Sequence, residues 1–153
     1  MRETVGNTFI FKLIIVFTLL FSAFLALAIS YNKVFRMKNQ VISIIENYEG
    51  INDNTLSIIN NYLDANGYKT QGECPDGFSG AKDFSGTFES ASSEEKYYYC
   101  IKESNVQVRD ENKYNKYRKI YNLIIFYKFN LPMLGDFITF KIEGQTKTIT
   151  IDE

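Results

Sequence analysis

The sequence contains no histidine and no tryptophan, and only two cysteines and two prolines. Without histidine the usual general base is missing, and so are the Ser-His-Asp and Cys-His arrangements. A Cys/His zinc site is excluded as well, and no CxxC redox motif occurs. Charge of one sign is also lacking: 17 basic side chains face 18 acidic ones, a formal net charge of −1. No basic stripe exists, so nucleic acid is not an expected partner. Gly77-Phe78-Ser79-Gly80 has neither the lysine nor the strand-to-helix context of a phosphate loop. No serine sits in a recognisable nucleophile turn. The acids at Asp53, Asp76, Asp83, Glu94, Glu95, Asp110 and Glu111 do not follow the spacing of a calcium loop and read as solvated loop acids. These absences predict a non-catalytic protein with no cofactor, no metal and no small-molecule substrate.

What the chain does have is an uninterrupted apolar stretch from Phe9 to Ile29, diluted only by Lys12, Thr18 and Ser22. At 1.5 Å per residue, about 21 helical residues reach about 31 Å, the hydrocarbon thickness of a bilayer. Backbone amides in lipid must be satisfied within the segment, so a span here has to be a helix. Residues 1–8 form a short tail before it. The first expectation is a retained single-pass anchor at residues 9–29, with membrane lipid as a partner. A secretory signal is the rival reading, because Ala26-Leu27-Ala28 offers a small-x-small cut before Ile29. A buried core helix is the third.

No Pro or Gly interrupts the chain between Ala26 and Phe35, so the helix continues past the span. Val34, Met37, Val41, Ile45 and Tyr48 recur every three or four residues, with Ile42 and Ile44 widening the stripe. This is an amphipathic helix over residues 30–50 that needs a cover, and Gly50 is its expected stop. Packing on the chain's own domain is one use of that stripe; bundling with other copies is the other. Candidate assembly positions along the whole helix are Phe9, Leu13, Val16, Leu20, Phe24, Val34, Val41 and Ile45.

Basic residues near the two ends of the span nearly balance: Arg2 and Lys12 against Lys33, Arg36 and Lys38. Cys74 and Cys100 decide the orientation instead. An even pair beyond an export signal favours a disulfide in an oxidising space, which places the C-terminal domain outside the cytoplasm.

Residues 51–153 are long enough for one small domain. A second helix is expected with Asn54 or Thr55 as its cap, Leu56, Ile59, Tyr62 and Leu63 on its apolar face, and Gly67 after its end. Tyr68 to Gln71 reads as a short strand. Residues 76–95 read as a long polar loop that Phe78, Phe84 and Phe88 can pin down, a segment length that is often functional. Tyr97-Tyr98-Tyr99 offers two faces of one strand, or a sugar-stacking surface. The basic, aromatic run Lys113 to Lys119 reads as a solvated turn, or as a contact for lipid headgroups.

The rest is strand. Tyr121, Leu123, Ile125, Tyr127 and Phe129 form an apolar ladder on one face, and Leu131 to Gly135 turns the chain. Ile138, Phe140 and Ile142 alternate with polar residues. Gly144-Gln145 is expected to make a two-residue hairpin into a last strand, with Ile149 and Ile151 inward and the threonines outward. The predicted fold class is α+β: a long N-terminal helix packed on a C-terminal antiparallel β-meander.

This layout resembles type IV pilin-like proteins, and TadE-like minor pilins in particular. The residues that carry the resemblance are Phe129-Asn130-Leu131-Pro132-Met133-Leu134-Gly135-Asp136 and Ile142-Glu143-Gly144-Gln145-Thr146-Lys147. It implies a structural subunit of a cell-envelope filament or of a secretion or pilus assembly apparatus, with other pilin-like subunits or assembly proteins as partners. It also implies processing near the N-terminus, for which Gly6 is the candidate, although Phe11 stands where such helices carry a Glu. Two further expectations belong to other classes. One is a tethered binding module acting through residues 76–95; the other is a small secreted domain released after Ala28.

Overall fold

The computed structural model describes residues 2–86, 88–92, 94–108, 116–131 and 135–150. Helix α1 (Arg2–Asn47) is continuous. Past Asn47 the backbone turns left-handed at Glu49, and the Gly50 amide donates to the Ile45 carbonyl at 3.0 Å. Gly50 thus follows the helix end as expected, while the left-handed residue itself is Glu49.

Helix α2 (Asp53–Ala65) is capped two to three residues earlier than the sequence predicts. Asn52, not Asn54 or Thr55, is the N-cap, and its side-chain oxygen accepts from the Thr55 amide at 2.8 Å and the Thr55 hydroxyl at 3.0 Å. Four cap-type residues lie in a row, Asn52 to Thr55, and the apolar phase of Leu56, Ile59 and Leu63 selects the one that leaves Thr55 inside the first turn. At the other end Gly67 takes φ +66°, and the Tyr68 amide closes on the Leu63 carbonyl at 3.0 Å, the expected glycine stop.

The sheet comprises β1 (Ser79–Ala81), β2 (Phe88–Ser90), β3 (Tyr99–Val108), β4 (Lys116–Leu131), β5 (Gly135–Gln145) and β6 (Ile149–Thr150). Its order is β2-β1-β3-β4-β5, all antiparallel, with β6 beside β4. The fold is therefore α+β, with β3, β4 and β5 as the central meander.

Three local expectations fail. Tyr68 to Gln71 is not a strand; the ladder contact falls one residue later, as an isolated bridge between Gly72 and Tyr97. The 76–95 segment is not all loop, because β1 and β2 form a hairpin that extends the sheet edge. Gly144-Gln145 does not turn the chain. Both residues lie in β5, opposite Leu123 and Asn122, and the chain continues in the same direction to β6, opposite Lys119 and Arg118. Gly144 answers to a close approach instead: a Cβ there would lie 2.5 Å from Ile42 Cδ1 and 2.9 Å from Lys38 Cδ. Thr146 then points inward, not outward. Its amide donates to the Tyr121 carbonyl, and its hydroxyl accepts from the Tyr121 amide, both at 3.0 Å, which bridges the interruption between β5 and β6.

The core lies between the second half of α1, α2 and one face of the sheet. Val34, Met37, Val41, Ile44 and Ile45 pack there with Leu123, Ile125, Ile142 and the predicted ladder tyrosines Tyr121 and Tyr127. A smaller cluster, Cys74, Tyr97, Cys100, Ile124 and Phe126, fills the opposite face. Ile149 is buried as predicted. Lys116 to Lys119, read as part of a solvated turn, are instead the start of β4, paired with Val108 to Asn105. The inward placement of Phe129, Ile138 and Ile151, the turn at 132–134 and residues 113–115 lie outside what the structure describes.

Candidate functional site

The two halves of α1 differ in their surroundings. Over most of the apolar run the side chains are exposed: Phe9, Leu13, Val16, Leu20 and Phe24 are each between 56% and 66% exposed. Their spacing of three or four residues places them in one stripe along the helix. Within the run, the Thr18 hydroxyl donates to the Ile14 carbonyl at 2.8 Å and the Ser22 hydroxyl to the Leu19 carbonyl at 2.9 Å. Its two hydroxyls are satisfied inside the helix, as a nonpolar solvent requires. By length and composition this helix is able to cross a membrane.

The remaining candidate assembly positions belong elsewhere. Val34, Val41 and Ile45 are buried against the chain's own sheet and are not available to a neighbouring copy. The stripe is shared between two jobs, with the division after Ile29. Gly6 and Ala28, the candidate processing positions, both lie within α1.

Cys74 and Cys100 form the expected disulfide, with Cα atoms 5.8 Å apart. It ties the segment after α2 to the start of β3 under the face of the sheet that α1 leaves open. Closing a loop of that length stabilises by about 3 to 4 kcal/mol.

The β1–β2 hairpin is held by charge. Lys82 Nζ lies 2.9 Å from a carboxylate oxygen of both Glu89 and Glu95, and the Tyr97 hydroxyl donates to Glu95 at 2.8 Å. Hydrogen bonds from Lys82 and then Tyr97 hold the Glu95 carboxyl below the usual range. The two carboxylates raise the Lys82 ammonium in turn. These groups are exposed, so their pairing orders the hairpin more than it stabilises the fold.

The tyrosine triplet is structural. Tyr97 faces the disulfide side, and Tyr99 faces α2, where its hydroxyl donates to Asn60 at 2.8 Å. Tyr98 rests on Phe84, ring centroids 4.3 Å apart. Among the described residues no group of His, Cys, Asp or Glu is placed to hold a metal ion.

The sequence reading missed a cluster at the junction of the two halves of α1. Tyr31 meets Phe35 at 6.2 Å and Tyr127 at 6.3 Å between centroids, and Tyr127 stacks on Phe140 at 6.3 Å. Lys38 Nζ sits 4.3 Å over the Phe35 ring. An open groove of about 450 Å³ runs between these rings, with Leu27 at its lower end. The signal was available in part, since Tyr31, Lys33 and Arg36 follow the apolar run, where aromatic and basic residues gather at membrane interfaces. Nothing local ties them to Tyr127 and Phe140.

Comparison with protein-family models, with curated proteins and with solved structures gives no match for this chain.

Proposed function

We propose that this chain is a membrane-anchored, single-pass structural protein of the minor-pilin-like, TadE-like kind. Its domain lies outside the cytoplasm, as a subunit of an envelope filament or of a secretion or pilus assembly apparatus. The observation that carries the reading is the division of α1. A helix continuous with a folded domain presents an apolar stripe, Phe9, Leu13, Val16, Leu20 and Phe24, that is more than half exposed among the described residues. In such an assembly, lateral packing of these stripes holds subunits together, and the sheet with its disulfide forms the outer face. Small side chains at Ala23, Ala26 and Ala28 favour close helix approach in lipid. The absence of a catalytic constellation in the sequence agrees with a structural role.

The test is crosslinking in membranes of the native host. Leu13→Cys and Leu20→Cys are expected to give ladders of disulfide-linked copies or mixed products with one defined partner. Val41→Cys, buried in the domain, is expected to give none. Monomer alone from all three, in membrane and filament fractions, sinks the assembly reading and leaves a tethered monomer.

A further inference from the structure

No linker separates the apolar run from the domain. α1 passes from Ile29, the last residue of the run, to Val34, the first core position, within five residues and without a break. The interfacial layer outside the hydrocarbon is about 5 to 7 Å thick on each side, or four to five helical residues. If the run spans the membrane, residues 30–34 fill that layer, and the domain's nearest edge stands at headgroup depth.

The edge found there has the chemistry of an interface. β5 and α1 run side by side in the same direction: Tyr31 meets Tyr127 at one end, and Glu46 accepts from the Lys147 amide at 2.7 Å at the other. The membrane-side end of the β4–β5 pair is therefore the end beyond Tyr127 and Phe140. From there the two strands stay paired through Lys128–Thr139 to Leu131–Gly135, about 13 Å further along β4. The sequence of that end, residues 129–138, carries a single charge, Asp136.

Phe140 follows the inward phase of Ile142 and yet is 46% exposed, in the groove it shares with Leu27, Tyr31 and Phe35 of α1. Tyr127 is buried there, and its hydroxyl meets Ser30 only outside good hydrogen-bond geometry. Across α1 lies a second groove of about 520 Å³, lined by Lys33, Arg36, Tyr62 and Asn66. Aromatic rings on one side of a helix and basic side chains on the other, both at the end of an apolar run, match the headgroup zone of an anionic bilayer.

We infer that the domain does not stand off the membrane but is seated in it, with the α1–β4–β5 groove of Tyr31, Phe35, Tyr127 and Phe140 immersed in the lipid interface. Lys33, Arg36 and Lys141 then face lipid phosphates. The occupant of the groove is lipid, since it is continuous with a surface that is itself in lipid. This rests on the anchored reading and not on assembly. Seating fixes the tilt of the domain and thereby the angle at which its outer face is presented.

The chain lacks tryptophan, so one substitution makes a unique reporter. Phe140→Trp, Tyr31→Trp and Tyr48→Trp are placed in the full chain, reconstituted in vesicles of phosphatidylcholine with phosphatidylglycerol. Tyr48 lies about 28 Å past Ile29 along the helix and serves as the aqueous reference. Phe140→Trp is expected to emit to the blue of Tyr48→Trp and to be quenched several-fold more by headgroup spin-labelled lipid. It is also expected to be several-fold less accessible to acrylamide. Lys33→Glu with Arg36→Glu should reduce that protection in anionic vesicles.

If Tyr31→Trp is lipid-quenched while Phe140→Trp behaves like Tyr48→Trp, the domain stands clear and the inference falls. Protection of Phe140→Trp that depends on protein-to-lipid ratio and ignores labelled lipid overturns it in favour of a second copy. Failure of the chain to float with vesicles refutes the anchored reading itself, a result distinct from the other two.

Discussion

Both halves of α1 are apolar, but only one is buried. Residues 33–45 place Val34, Met37, Val41, Ile44 and Ile45 on one face, with Lys33, Arg36, Asn39 and Gln40 on the other. Residues 9–29 are apolar all round, and a sheet that covers one face would still leave the rest exposed. Period, not content, decides which half a small sheet can cover. The half that is apolar on every face needs a solvent that is apolar on every side, which a bilayer supplies and water does not. One continuous helix thus carries both halves without a hinge.

The sharpest way to break this contrast is to place the same charge in each half. Ile45→Asp buries an unpaired carboxylate at a fully buried position. It is expected to cost the domain more than about 4 kcal/mol, read as loss of cooperative unfolding in detergent. Leu20→Asp is expected to leave domain unfolding within about 0.5 kcal/mol. It should instead weaken membrane insertion by about 2.5 to 3.5 kcal/mol, read from carbonate-resistant retention. If both variants damage the domain alike, the two halves are not separate regions.

The disulfide sharpens the parallel contrast between the two faces of the sheet. The face toward α1 has a helix to cover it; the other has a short segment pinned by Cys74–Cys100 over Ile124 and Phe126. Cys74→Ala with Cys100→Ala is expected to lower stability by about 3 to 4 kcal/mol in denaturant titration. The α1 side should stay packed around Val41 and Ile45, so helix content falls little at low denaturant.

Much of this was readable because the signals were local. The division of the helix, the stop at Gly67 and the strand segments Tyr99–Ile101, Tyr121–Phe129 and Ile138–Ile142 follow from apolar period and glycine placement. The extension of β3 to Val108 and the start of β4 at Lys116 do not. The β1–β2 hairpin was not readable, since Ser79-Gly80-Ala81 and Phe88-Glu89-Ser90 carry no strand pattern and exist through register with β3. Gly144 was misread because a glycine that makes a turn and one that admits a neighbouring helix look alike in sequence; the neighbour, Ile42, is a hundred residues away. Of the candidate site, the apolar stripe and its packing on the chain's own domain were both legible. Two uses stood open for Val34, Val41 and Ile45 until the contacts with the sheet put them in the core. The Tyr31–Tyr127–Phe140 cluster depends on contacts across the fold and left only its α1 part in the sequence.

Tyr68 shows a further difference between the faces, in how the ladder between β3 and β4 ends. The last pair is Tyr99–Ile125. Beyond it the Tyr68 hydroxyl takes the place of a strand: it accepts from the Phe126 amide at 2.9 Å and reaches the carbonyls of Phe126 at 2.8 Å and Tyr98 at 3.0 Å. Tyr68→Phe leaves these buried groups without their partner and is expected to cost about 2 kcal/mol in thermal or denaturant unfolding. Burial also raises the Tyr68 and Tyr99 hydroxyls well above their ordinary value of 10.0. Each therefore keeps its proton in the folded state after the unfolded chain has lost it. Stability is unaffected below about pH 10 and falls above it, by up to about 1.4 kcal/mol per pH unit for each tyrosine. In Tyr68→Phe the alkaline slope should be shallower by one such contribution; an unchanged slope would mean the hydroxyl is not buried.

The smallest effect concerns how the two helices are held. α1 is fixed by what it buries, whereas α2, 13 residues long, also relies on its cap. Asn52→Ala removes the acceptor of two hydrogen bonds from Thr55 and is expected to cost about 1 kcal/mol. Asn54→Ala, at the position favoured by sequence alone, should change the midpoint of unfolding very little. Because α2 lies against α1 near Tyr62 and Asn66, fraying from its capped end should not release that contact. Hydrogen exchange in Asn52→Ala should accordingly rise at residues 53–56 and remain slow around Leu63. Equal acceleration along the whole of α2 would show that its cap, and not its packing on α1, holds the helix in place.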